Sequence, residues 1–214
     1  MPPERVQTQL AANKGGADVL FDEKGNRIGG SRLLSVVTLR AGESGRFYRI
    51  PNESDYQVIW KAQERLNETL AIWEQKGNKE LCPVPDEPTP SKDTHRAVGS
   101  QITLYGIMCY GDLFTSRQKL SLITLTRLTA LLSANSISQK ALALALTRAA
   151  NAGCSLCRWH TTGEKHEGVY SRQALPLVWD YCEGNPLSSA TGGYAGALEW
   201  VRNVVKAWPR SESG

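Results

Sequence analysis

The sequence lacks every compact catalytic motif that can be read in one dimension. It has no GxSxG elbow, no GxxxxGK[ST] phosphate loop, no HExxH helix and no GxGxxG element between a strand and a helix. Histidine is scarce: only His95, His160 and His166 occur, all in expected loops, and no local pattern sets a nucleophile beside any of them. Long apolar runs are missing too, which excludes a bilayer-spanning segment. The polar residues 1–14 contain no apolar signal core. A cytoplasmic chain with no membrane partner is expected, and one that cannot complete a reaction alone.

Cysteine is sparse and irregular. Five residues (Cys82, Cys109, Cys154, Cys157, Cys182) are an odd number at uneven spacing, which argues against a secreted disulfide framework. Cys154 and Cys157 form a CxxC pair, and a mixed zinc set of Cys154, Cys157, His160 and His166 can be written down. Against it, no strand–turn pattern brackets the pair, and thiols also serve as small apolar core groups. Acid is scarce in one stretch. Between Phe114 and Leu175 the bases Arg117, Lys119, Arg127, Lys140, Arg148, Arg158, Lys165 and Arg172 face only two acids, Glu164 and Glu167. Such a stretch can supply phosphate contacts to nucleic acid, or simply solvated helix positions.

What is present is ordinary globular material: 214 residues, 41% hydrophobic and 21% charged, with a net charge of +4. That is enough for one good core or for a small domain attached to a larger one. The expected fold class is mainly α with a small amino-terminal antiparallel β portion, an α+β arrangement. Residues 1–51 read as a β meander, hairpin pair or arm: Val19 to Phe21 and the segment around Ile28 flank the turn sequence Lys24-Gly25-Asn26. Leu33 to Leu39 and Arg46 to Ile50 follow as further strand material. Residues 52–80 hold an amphipathic helix, capped by Ser54 and stopped by Gly77, with Ile59, Trp60, Gln63, Leu66 and Leu70 at helical spacing. Residues 81–100 open with CPVPDEPTPS, four prolines that favour an extended spacer.

Residues 101–208 are expected to form a helical domain, with 209–214 as a tail. Its helices are placed at about 116–134, 137–152, 172–182 and 195–207. Thr115 and Gln118 make a capping box for the first, and Ser136 with Gln139 repeats the signal. Leucines encircle the first helix, which predicts burial on most sides. It should pack antiparallel on its alanine-rich successor to form the core. Residues 154–170 read as irregular. Within them Arg158-Trp159 sets a guanidinium beside a large ring, a pair able to grip phosphate and stack on a base. Tyr170, Arg172 and Gln173 lie at an expected helix start, where free N–H groups favour anions, and glutamine suits bidentate contact with adenine. The plainer alternative makes Trp159 and Trp179 core anchors and Arg172 an ion-pair partner.

Several phrases recur in one order: GRFYRIPNESDY (Gly45–Tyr56), LCPVPDEP (Leu81–Pro88), YGDLFTSRQKLSL (Tyr110–Leu122), SLCRW (Ser155–Trp159), RQALPLVWDYCEGNP (Arg172–Pro186) and GALEWV (Gly196–Val201). Together they resemble the central region of the adenine-specific DNA methylases, a family in which some members carry a zinc ribbon. The resemblance implies a helical insert of a Rossmann-like, S-adenosylmethionine-dependent amino-methyltransferase. In that family a glycine-rich DPFxGxG-type cofactor loop precedes this region and a DPPY-type motif holds the target amine. Backbone and side-chain carbonyls there orient the amine while a ring stacks on the flipped base.

Neither element is present. Asn185-Pro186-Leu187-Ser188 has no second proline and no aromatic residue. The resemblance places the family's ribbon cysteines upstream, which makes Cys154 incidental. No catalytic residue and no S-adenosylmethionine site are therefore expected in this chain, which reads as a truncated, split or excised segment. Its implied partners are DNA and the remaining methylase polypeptide. The candidate DNA contacts are Arg117, Gln118, Arg158, Trp159, Arg172, Gln173 and Asn185. The competing expectation is a non-catalytic nucleic-acid-binding or adaptor module.

Overall fold

A single carboxylate shapes the first strand pair. Asp22 accepts the backbone N–H groups of Lys24 (2.9 Å) and Asn26 (2.8 Å) together with the Asn26 side-chain amide. Gly25 between them takes a φ of 80°, the left-handed conformation that glycine adopts without steric cost. Strands β1 (Val19–Phe21) and β2 (Arg27–Gly30) pair antiparallel across this turn. Strands β3 (Val36–Thr38) and β4 (Phe47–Arg49) form a second antiparallel pair, with Val37 opposite Tyr48. The two pairs are separate sheets, the hairpin-pair form of the expected β region.

These features come from a computed structural model that describes residues 3–12, 17–77, 81–90, 101–132, 136–171, 175–188, 190 and 192–208. Its contacts divide the chain into two units, Met1–Leu120 with Gln173–Leu177, and Ser121–Arg172 with Val178–Gly214. The first unit opens with a helix that was not expected, α1 (Pro3–Ala12), lying against a 3-10 segment at Gln101–Tyr105.

Helix α2 (Glu53–Gln75) is capped by Asn52 rather than by Ser54. The Asn52 side chain accepts the Asp55 N–H at 3.3 Å, and the Asp55 carboxylate accepts the Asn52 N–H at 2.8 Å. Asn-x-x-Asp thus performs the reciprocal exchange of a capping box. Ile59, Ala62 and Leu66 recur on one face and are buried. Gln63 on the same helix donates to the Val19 carbonyl at 2.8 Å, and the Trp60 ring lies against Gly25, so α2 carries the first hairpin. Gly77, with a φ of 75°, lies just beyond the helix end, where the sequence places the stop.

The proline-rich stretch is more than a spacer over its described part, residues 81–90. Thr89 is buried, its N–H donating to the Met108 carbonyl (2.9 Å) and its hydroxyl to the Ile107 carbonyl (2.8 Å). Gly111 and Tyr110 donate back to Pro85 and Glu87. Proline cannot donate, but its carbonyl still accepts, which is how this segment docks. The remainder, residues 91–100, lies outside the described residues. Ile102, Ile107 and Leu113 are fully buried in this unit.

The chain from Ser116 onward departs further from expectation. Helices α3 (Ser116–Leu131), α4 (Ser136–Ala152) and α5 (Tyr194–Ala207) match the expected positions closely. However, α4 packs on α5 rather than on α3. Ala145, Ala197 and Val201 form the buried contact, with Ala141, Tyr194 and Leu198 around it. Alanines on one stripe let the α5 backbone approach closely. The leucines of α3 are spread around its circumference and define no single stripe, so Leu128 and Leu131 stay 55% and 76% exposed.

Two further differences matter for the site. Residues expected to be irregular form an antiparallel hairpin, β5 (Arg158–His160) with β6 (Lys165–Glu167), so strand structure is not confined to the amino terminus. The helix expected over 172–182 is not formed across its described part, 175–182. The Cys182 N–H instead donates to the Cys157 carbonyl at 2.9 Å, a partner far along the chain. Among the described residues no helix is long and apolar enough to cross a membrane.

Candidate nucleic-acid interface

Two candidate DNA-binding residues lie at the start of α3, in the first unit. The capping box forms as expected: the Thr115 N–H donates to Gln118 Oε1 at 2.8 Å, and the Gln118 N–H to Thr115 Oγ1 at 3.4 Å. Gln118 is therefore buried, 5% exposed, and its oxygen is committed to the helix terminus. This corrects its assignment as a DNA contact. The Asp18 carboxylate also accepts the Ser116 N–H at 2.8 Å and the Ser116 hydroxyl. A helix start filled by a carboxylate offers nothing to a phosphate. Arg117 is half-buried, and its charge reaches Asp55. The dominant partner of Asp55 is Arg49, with two hydrogen bonds of 2.7 Å. That pairing, aided by the Asn52 N–H and by Arg117, holds the Asp55 carboxyl down at about 2.

The other described candidates lie in the second unit. Arg158 is opposite Glu167 in the β5–β6 register, and its Nη2 meets the carboxylate at 2.7 Å. Trp159 is half-buried and stands edge-on to His166 across the hairpin, with ring centroids 6.0 Å apart. Successive strand residues point to opposite faces, so Arg158 and Trp159 cannot grip one nucleotide together. Asn185 is exposed, but its side chain accepts the Leu187 N–H at 3.0 Å and its carbonyl the Ser188 N–H at 3.0 Å. It is a turn residue, and Pro186 beside it accepts the Tyr194 N–H at the start of α5. Arg172 and Gln173 lie outside the described residues.

The zinc set is not assembled. The His160 Nδ1 accepts the Gly163 N–H at 2.8 Å and so closes the hairpin turn. His166 is packed under Gly184, where an added Cβ would strike the imidazole; burial pushes its pKa down, against a hydrogen bond to the Ala152 backbone that raises it. Among the described residues no three His, Cys, Asp or Glu side chains converge as a metal site.

Sequence reasoning missed one pairing. The Arg148 guanidinium lies 4.5 Å from the centroid of the Trp200 ring, joining α4 to α5. Both residues are exposed, Trp200 by 54%. The acid-poor α4 sequence held half the signal, but nothing local linked it to a tryptophan about fifty residues away. Exposed Arg127 and Lys140 share this unit. Comparisons of the chain with protein-family models, with curated proteins and with solved structures find no match.

Proposed function

We propose that the chain is the DNA-engaging central segment of an S-adenosylmethionine-dependent DNA amino-methyltransferase of the adenine-N6 type, a helical insert of its Rossmann-like catalytic fold. The ordered series of phrases supports the family. The observation that carries DNA engagement is the run Ser116–Ala152, which holds Arg117, Lys119, Arg127, Lys140 and Arg148 and no carboxylate at all. Local geometry selects among the bases. Arg117 is half-buried near Asp55 and Arg158 is matched by Glu167, whereas Arg127, Lys140 and the Arg148–Trp200 pair are exposed. A cation over an exposed indole suits phosphate contact next to base stacking.

In this reading the chain's own residues bind and position DNA. The cofactor loop and the amine-holding motif are supplied by the remaining methylase polypeptide. The test is a salt-titrated DNA-binding measurement on the whole chain. Affinity should fall steeply with salt, and the Arg127→Gln/Lys140→Gln double variant should flatten the slope by about 0.9 for each phosphate it no longer neutralises. Methyl transfer should be blank with the chain alone and appear once a companion polypeptide bearing a DPPY-type motif is added. Methylation by the chain alone would overturn the assignment. Salt-insensitive or absent DNA binding would remove DNA engagement.

A further inference from the structure

Three of the five cysteines gather at one place in the second unit, where α4 ends and β5 begins. Cys154 and Cys157 are both fully buried, with their Sγ atoms 3.7 Å apart. The Cys157 N–H donates to the Cys154 carbonyl at 3.2 Å, closing a four-residue turn. Such a turn holds its end Cα atoms within about 7 Å, inside the span a disulfide tolerates. In the thiol form the Cys157 S–H donates to the Asn151 carbonyl at 3.5 Å, a bond the thiolate gives up, and the Cys157 carbonyl accepts the Cys182 N–H. The position of Cys157 is therefore fixed from both sides.

We propose that Cys154 and Cys157 are a reactive dithiol that a small peroxide converts to an intrachain disulfide. Cys157 is the attacking sulfur. The Cys154 S–H and the N–H groups of Cys154 and Val169 stabilise its thiolate, outweighing burial and drawing its pKa down to about 7. Cys154 moves the other way, raised first by that same bond to Cys157 and then by burial, so it keeps its proton. Burial and the charge on Cys157 push Cys182 up to about 12, which leaves it a neutral bystander.

The steps balance. The Cys157 thiolate takes one oxygen from the peroxide, whose O–O bond breaks, and becomes a sulfenic acid; the displaced hydroxide picks up a proton. The Cys154 sulfur then attacks that sulfenic sulfur and gives up its proton, and the S–OH oxygen leaves as water. Two thiols and one hydrogen peroxide yield one disulfide and two waters. Both sulfurs are fully buried, so the peroxide reaches them through local opening of the turn between α4 and β5. The bridge closes the turn that links the end of α4 to the start of β5.

Trypsin releases Ala149–Arg158 with both cysteines in a single peptide. After treatment of the whole folded chain with hydrogen peroxide, acid quenching and alkylation under denaturing conditions, this peptide should be lighter by two hydrogens and carry no alkyl group. Cys182 should stay alkylatable. The reaction should speed up as pH rises through about 7. Cys182→Ser should leave the bridge intact, whereas Cys154→Ser should trap oxygen on Cys157. Full alkylation of both residues at peroxide levels that oxidise an unstructured CxxC peptide would overturn the proposal, as would a bridge between Cys157 and Cys182.

Discussion

The two units hold their helices by different means. In the first, helix starts are tied by side chains close in sequence: Asn52 with Asp55 at α2, and Thr115 with Gln118 at α3. In the second, α4 meets α5 through Ala145, Ala197 and Val201, and a buried thiol turn joins α4 to a hairpin. Directional polar bonds mark the one, both local caps and the distant Asp18–Ser116 contact; close approach of small side chains far apart in sequence marks the other. The first arrangement sets where a helix begins, whereas the second sets how near two helices lie and depends on bulk being absent.

The sharpest way to probe that contrast is to delete bulk where the first unit has it. Leu113 is wholly buried, so Leu113→Ala should destabilise the chain by about 2–5 kcal/mol, measured by denaturant unfolding. The matching change in the second unit adds bulk. Ala145 is also wholly buried, against α5, and Ala145→Leu should cost about 1–3 kcal/mol through displacement of that helix. Circular dichroism should show the helix content of α5 falling with it. A neutral Ala145→Leu would break the comparison, because the α4–α5 seam would not then be set by small side chains.

The same division explains what could be read from the sequence. Elements fixed by near neighbours were legible: the Gly25 turn, both amino-terminal strand pairs, α2 to α5, and the Thr115–Gln118 box. The failures share a cause. The segment 175–182 has a helical pattern, but its Cys182 N–H is claimed by Cys157, and a distant carbonyl overrode local propensity. Strands β5 and β6 are three residues each, too short to show periodicity, and are stitched by the cross-strand pairs Arg158–Glu167 and Trp159–His166. The choice of α5 over α3 as partner for α4 was encoded in which alanines align, visible only once both helices are in place. At the candidate interface the basic stretch was legible. Which of its polar groups are spent was not: capping buried Gln118, and Glu167 paired Arg158.

The smallest effect sharpens the polar side of the comparison. Asp55 accepts two hydrogen bonds from Arg49 and one from the Asn52 N–H, and its carboxyl is held at about 2. In the unfolded chain it returns to about 4. A depressed folded value means the unfolded state binds the proton more readily, so the stabilisation is complete above about pH 4 and disappears as pH falls through about 2. Asp55→Asn keeps the shape but removes the charge and one strong acceptor. It should cost about 1 kcal/mol at neutral pH, in the usual range for a helix cap. Arg49 is 42% exposed, so salt should trim the ion-pair share of that loss and leave the cap share intact. The decisive comparison is between wild type and variant across acid pH. Their stabilities should converge between about pH 4 and pH 2 because the wild type loses what the variant never had. A constant gap down to about pH 2 would show that the loss is not tied to the Asp55 charge, and the polar side of the comparison would fail.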